Sequence, residues 1–198
     1  TYLAIADLNG DGKLDLVVNG IYVALGNGDL TTGSFATLSG TAPGSFTVAV
    51  DLNADGKRDL AYLLNNNVAV RLGNGDGTFQ TAAQYAAGDQ PVELAVADFN
   101  ADGKPDLATV SQGDSTVRVL LGTGGGAFGA KTDFATGTTP ISLDVGDFNG
   151  DGHADIAAAD FNSISVSILL GTGTGSFGAK TDFYTGQVGP YSVEAADL

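Results

Sequence analysis

Apolar residues recur at every second position in the segments Val92, Leu94, Val96 and Ile141, Leu143, Val145. Period-two patterning of this kind predicts strands with one buried face. Each run ends on a residue before an aspartate, at Ala6, Val50, Ala97, Gly146 and Ala196, mostly small and suited to a crowded inner strand. One run departs from the pattern, with Phe46, Val48 and Val50 on the opposite parity. Short apolar runs follow at Leu16–Val18, Leu60–Leu64, Leu107–Val110 and Ile156–Ala159, each of strand length. A third set spans Ile21–Leu25, Val68–Leu72, Val117–Leu121 and Val166–Leu170; Arg71 and Arg118 fall on its off-beat and are expected on a solvent face. Each third run closes on Leu-Gly-x-Gly, which is turn chemistry. A fourth, more polar strand is expected from Phe35, Phe79, Phe128 and Phe177.

Between the first and second runs lies one segment repeated four times: DLNGDGKLD from Asp7, DLNADGKRD from Asp51, DFNADGKPD from Asp98 and DFNGDGHAD from Asp147. A fifth copy starts at Asp197-Leu198, and successive first aspartates are 44, 47, 49 and 50 residues apart. Four short antiparallel strands in a period of about 47 residues is the signature of a β-propeller blade. The expected fold is all-β, with repeats at about 1–44, 45–90, 91–139 and 140–189 and the first strand of a further blade at 190–198.

Composition sharpens this picture. The 198 residues include 30 glycines at 43% hydrophobic content, which fits many tight turns between strands. Eight basic against 23 acidic residues give a net charge of −15, which disfavours nucleic acid and anionic membrane surfaces as partners. No apolar run reaches 18 residues, so membrane insertion by a helix is not expected. Cysteine is absent, excluding disulfides and thiolate sites. Methionine is absent even at position 1, and a processed or trimmed piece is expected. The acid is 21 Asp against two Glu, Glu93 and Glu194, which points to turns or to a hard-cation site rather than to a merely solvated surface.

The loop D-x-N-x-D-G-x-x-D has the logic of a calcium loop: oxygen donors at positions 1, 3, 5 and 9, a backbone carbonyl at 7, and glycine at 6 for the turn. Zinc and copper prefer nitrogen or sulfur, and magnesium demands stricter geometry. An EF-hand is excluded, because its position-12 ligand is replaced by Val18, Tyr62, Thr109 and Ala158 and the flanks read as strands. Metal-free Asx turns are the competing reading. Against it, the four loops hold 12 aspartates, and three carboxylates in one bend repel unless a cation is present. Four Ca²⁺ ions would bring the formal charge from −15 to −7.

These loops, each followed by a β-run and then Leu-Gly-x-Gly and Phe, resemble the FG-GAP/VCBS repeat family, which includes the integrin α-subunit propeller and many secreted bacterial proteins. The resemblance implies a propeller with about one Ca²⁺ per repeat, held between the first and second strands of each blade. The implied ligands are Asp7, Asn9, Asp11 and Asp15 with the carbonyl of Lys13; Asp51, Asn53, Asp55 and Asp59 with Lys57; Asp98, Asn100, Asp102 and Asp106 with Lys104; and Asp147, Asn149, Asp151 and Asp155 with His153. The Gly-Ala-Pro part of the integrin pattern is missing, so integrin-type ligand recognition is not carried over. Propellers of this family have about seven blades, and a fragment of a larger ring is expected over a closed ring of four.

Catalysis has little support in the sequence. His153 is the one histidine and stands where only its carbonyl is needed. A carboxylate pair for glycoside chemistry would come from Glu93 and Asp144, the acids expected to face a central channel. The expected function is a non-catalytic, secreted, calcium-binding adhesion module for a glycan or an extracellular protein. A self-assembling scaffold joined through open blade faces and a part of a polysaccharide-degrading enzyme are the alternatives. Calcium modules of this class bind at roughly 10⁻⁴ to 10⁻³ M, which places the protein outside the cell or at its surface. Tyr85, Phe134, Phe183 and Tyr184 are candidates to stack on sugar, with blade core as their competing role.

Overall fold

The computed structural model describes residues 2–19, 22–27, 35–37 and 44–196. The fifth loop copy, Asp197-Leu198, lies outside them. Among the described residues, sixteen strands form four sheets of four, each with neighbours in chain order. Blade 1 holds β1 (Leu3–Ala6), β2 (Asp15–Val18), β3 (Tyr22–Ala24) and β4 (Phe35–Thr37). Blade 2 holds β5 (Ser45–Val50), β6 (Asp59–Leu64), β7 (Asn67–Arg71) and β8 (Ala83–Ala86). Blade 3 holds β9 (Pro91–Ala97), β10 (Asp106–Ser111), β11 (Thr116–Gly124) and β12 (Ala127–Ala135). Blade 4 holds β13 (Pro140–Gly146), β14 (Asp155–Asp160), β15 (Ser165–Leu169) and β16 (Thr181–Tyr184). Residues 190–196 carry no strand.

The chain divides into two compact units, residues 1–86 with 124–126, and 87–123 with 127–198. The first is built on Leu8, Val17, Val23, Leu60, Tyr62, Leu64 and Ala69. The second is built on Phe99, Val110, Val117, Val119, Leu143, Ile156, Leu169 and Phe177. In the second unit Phe177 packs edge-on against Phe99, ring centres 5.6 Å apart, and against Phe134 at 4.9 Å. Every residue of β6, β10 and β14 is buried, because a middle strand is covered on both faces. That is why these runs read as continuously apolar rather than alternating.

Three expectations change. Arg71 and Arg118 are buried, not solvent-facing. Arg71 donates from Nε to the Tyr62 hydroxyl (3.2 Å) and from Nη1 to the Gln80 carbonyl (3.1 Å). Arg118 forms a forked pair with Asp133, Nη2–Oδ2 2.9 Å. Their off-beat places them on the second face of a middle strand, which another layer covers, and paired guanidinium groups satisfy that burial. The second repeat buries Thr47, at the position that Leu94 and Leu143 hold in later repeats, and leaves Phe46, Val48 and Val50 partly buried. The pairing of β5 with β6 skips Phe46, where φ is +22°, as β9 skips Val92 and β13 skips Ile141. The fourth strands of blades 2 and 4 begin four residues beyond Phe79 and Phe177, which form isolated bridges to Gly73 and Gly171.

Candidate metal centres

The four loops join the first and second strands of their blades and share one local geometry. Position 6 is a left-handed glycine in each, with φ between 79° and 84° at Gly12, Gly56, Gly103 and Gly152. Position 4 is left-handed as well, at Gly10 and Gly150 and, with a side chain present, at Ala54 (φ 62°) and Ala101 (φ 57°).

Side chains hold this curl. The position-1 carboxylate accepts the amide of position 6, in Asp7–Gly12 (2.8 Å), Asp51–Gly56 (2.7 Å), Asp98–Gly103 (2.8 Å) and Asp147–Gly152 (2.8 Å). Its other oxygen accepts the amide of position 5. Asn9, Asn53, Asn100 and Asn149 accept that same amide at 2.9–3.0 Å. Asp11, Asp55, Asp102 and Asp151 accept the amide of position 7, the residue whose carbonyl completes the expected donor set. These are Asx turns wound in series.

Electrostatics follow from that arrangement. The Gly12 amide leads the contacts that hold Asp7 below the usual carboxylate range. Burial works to raise Asp51, and the amides of Gly56, Asn53 and Asp55 together outweigh it, for a net lowering. Asp102 is lowered first by the Lys104 ammonium, 2.8 Å from its Oδ2, and Asp151 first by the His153 amide. Asp59 and Asp106, at position 9, are pushed up chiefly by burial, and the other aspartates of their loops push the same way.

Position 9 also has a task the sequence did not disclose. Asp15, Asp59, Asp106 and Asp155 are buried, and each carboxylate is a two-way clamp. One oxygen accepts the position-2 amide, at Leu8, Leu52, Phe99 and Phe148, over 2.8–2.9 Å. The other accepts the amide of the first glycine in Leu-Gly-x-Gly, at Gly26, Gly73, Gly122 and Gly171, over 2.6–2.8 Å. The two ends of that second bond lie 11, 14, 16 and 16 residues apart, so no fixed spacing announces it.

Among the described residues no three carboxylates or imidazoles converge closely enough to enclose a metal. Position 5 is exposed in every loop and positions 1 and 3 are partly or fully exposed, whereas position 9 is buried. The donor set is hard oxygen throughout, and a carboxylate oxygen that accepts one amide retains a second lone pair. The residues therefore fit calcium in kind.

The two acids expected at a channel both accept backbone amides. Glu93 is partly buried and accepts the Leu143 amide at 2.9 Å; burial raises its pKa. Asp144 accepts the amides of Ala195 (2.6 Å) and Val145 (2.8 Å). Each caps backbone, and the Asp144 carboxylate lies near enough to Glu93 to add to its raising. Among the aromatic candidates, Phe134 packs on Phe177 and Tyr85 is partly covered, while Phe183 and Tyr184 are exposed. A cavity of about 530 Å³ opens beside Asp147, lined by Val145, Gly146, Phe148, Ala195 and Ala196.

Four meandering four-stranded sheets, each with a loop of this kind after its first strand, define a β-propeller repeat protein. The FG-GAP-like repeat model matches residues 7–62, 51–109, 98–158 and 147–198, and the chain belongs to that family. No curated protein matches it significantly. Among solved structures it is similar to an Agrocybe aegerita lectin that recognises non-reducing terminal N-acetylglucosamine, at 24% identity and TM-score 0.67 over 94% of this chain and 54% of that one. It is also similar to BBS1N, solved in complex with ARL6DN, at 13% identity and TM-score 0.65 over 94% and 57%. A third is a Bacteroides caccae protein of unknown function, at 14% and TM-score 0.53 over 91% and 59%. The likeness is one of fold, and the chain spans a little over half the length of these three.

Proposed function

We propose that the chain is a non-catalytic, extracellular binding module whose blades are stiffened by calcium and whose ligand is a glycan or another protein. The observation that carries this reading is the fourfold recurrence of one oxygen-rich loop at one place in the blade. Asp7, Asp51, Asp98 and Asp147, with the side chains at positions 3 and 5 and the carbonyl at 7, would hold the ion, and position 9 would close it from below. Calcium there supplies charge neutralisation and rigidity, not chemistry on a substrate. Glu93 and Asp144 act on backbone amides, which supports binding over hydrolysis. The lectin shares the fold and offers terminal N-acetylglucosamine as a first glycan to try. Exposed Phe183 and Tyr184 supply stacking surface. The test is binding to immobilised glycans, with product analysis, in calcium and in EGTA. Calcium-dependent retention without product is expected; release of cleaved saccharide overturns the reading.

A second reading, assembly chain to chain in a scaffold, is favoured by blade 1. Leu3 and Ile5 on β1 are 58% and 64% exposed, whereas Leu143, at the place of Leu3 in blade 4, is 4% exposed. An apolar sheet face of this kind associates when unpaired. Solution mass rising with concentration in the absence of ligand would favour it.

A further inference from the structure

One cross-strand column changes its charge from blade to blade. It takes the last residue of the second strand, a residue of the third, and its partner on the fourth. In blade 2 these are Leu64, Ala69 and Gln84, all uncharged. In blade 3 they are Ser111, Arg118 and Asp133, where the guanidinium and the carboxylate neutralise each other. In blade 4 they are Asp160, Ser167 and Asp182: the cation is gone and a second acid has arrived.

The contacts within the blade 4 column do not close without an extra hydrogen. Ser167 Oγ lies 2.6 Å from Asp160 Oδ2 and 2.7 Å from Asp182 Oδ1, and it also accepts the Gly137 amide at 3.0 Å. A serine hydroxyl has a single hydrogen and can serve only one of the two carboxylates. The other would then face an oxygen lone pair at hydrogen-bond distance. Asp160 is 0% exposed, and its Oδ1 has no hydrogen-bond partner. A carbonyl oxygen tolerates that position far better than half of a carboxylate charge does.

We propose that blade 4 contains a buried proton-binding site, in which Asp160 carries the proton, donates it to Ser167 Oγ, and Ser167 in turn donates its own hydrogen to the ionised Asp182. The charged groups facing Asp160 support this order. Asp182 opposes its ionisation, and Lys180, paired with Asp182, favours ionisation more weakly. The same Lys180 holds Asp182 below the usual carboxylate range, while burial leads the effects that raise Asp160. The remaining neighbours, Gly137 and Pro140 on one side and Ser165 on the other, do not titrate. Tyr184 on β16 is exposed.

With its folded pKa raised, Asp160 adds stability fully below the ordinary aspartate value. That stability is lost as pH rises from there through the folded value. Asp160→Asn replaces the donated proton by an amide N–H that does not titrate. The expected result is that the difference in melting temperature between variant and wild type grows in favour of the variant as pH rises across this window, then levels off. Parallel pH profiles would overturn the proposal. A second measurement does not read stability. The infrared spectrum above the ordinary aspartate range should show a buried protonated-carboxyl band that is missing from Asp160→Asn, the raised Asp59, Asp106 and Glu93 supplying any absorption common to both proteins. Identical carboxyl absorption in the two proteins would equally overturn it.

Discussion

Asp106 Oδ1 accepts the amide of Gly122 over 2.6 Å, and the Cβ that Gly122 lacks would lie 2.2 Å from the carbonyl oxygen of Pro105. The ninth loop residue and the first glycine of Leu-Gly-x-Gly therefore form one device. The carboxylate draws the turn in so far that only glycine fits. The same close approach recurs at Gly26, Gly73 and Gly171, against Leu14, Arg58 and Ala154.

Gly122→Ala should cost about 3 kcal/mol or more, because the new methyl meets backbone that cannot step aside as a side chain would. Urea unfolding measures it. A loss under about 0.5 kcal/mol, the range of an unremarkable surface change, would contradict the close approach.

Asp106→Asn retains one acceptor and turns an amide N–H₂ toward the other backbone N–H. Leaving one buried donor unsatisfied costs about 1–3 kcal/mol. The loss should be present with calcium chelated, which separates the clamp from any part Asp106 plays at the ion. Equal stability of the two proteins in EGTA would contradict the clamp.

Phe177→Ala should cost about 3–5 kcal/mol, since Phe177 fills the space between Phe99 and Phe134. Tyr184→Ala, at an exposed ring, should cost under about 0.5 kcal/mol and serves as its control in the same unfolding series.

Asp133 is held below the usual carboxylate range, first by Arg118 and, against the opposing effect of burial, by Lys131. A lowered folded pKa gives stability that is present above the ordinary aspartate value and lost as pH falls through the folded one. Asp133→Asn should therefore lie below wild type at neutral pH and converge with it in acid. A gap that is constant with pH would contradict the pairing.

Much of this architecture was legible because each repeat prints its strands, loop and turn in the same order. The limits of Leu107–Val110 fall within β10, and each match to the family model begins at the first aspartate of a loop, Asp7, Asp51, Asp98 or Asp147. What escaped detection was set by tertiary contacts. Arg118 reads as a surface residue until the layer over its strand is known, and Asp133, which satisfies it, is 15 residues away. Phe46, Val48 and Val50 mislead because the buried place of their strand falls to Thr47, a polar residue between them. Position 9 reads as a ligand from its residue type, and its further role as a clamp is hidden because its amide partners at Gly26, Gly73, Gly122 and Gly171 stand at changing distances along the chain. The backbone amides that Glu93 and Asp144 accept leave no trace in a sequence either.

The most direct test of the central claim is thermal unfolding of the whole chain in millimolar calcium and in EGTA. An ion bound only to the folded state adds about 2.7 kcal/mol at a hundred times its dissociation constant, and about 0.4 kcal/mol when free ion equals that constant. Four weak sites together should thus raise the melting temperature by several degrees. The rise should shrink stepwise as Asp7, Asp51, Asp98 and Asp147 are replaced by alanine. Identical melting in calcium and in EGTA would show that the Asx turns stand without metal and would remove calcium from the account.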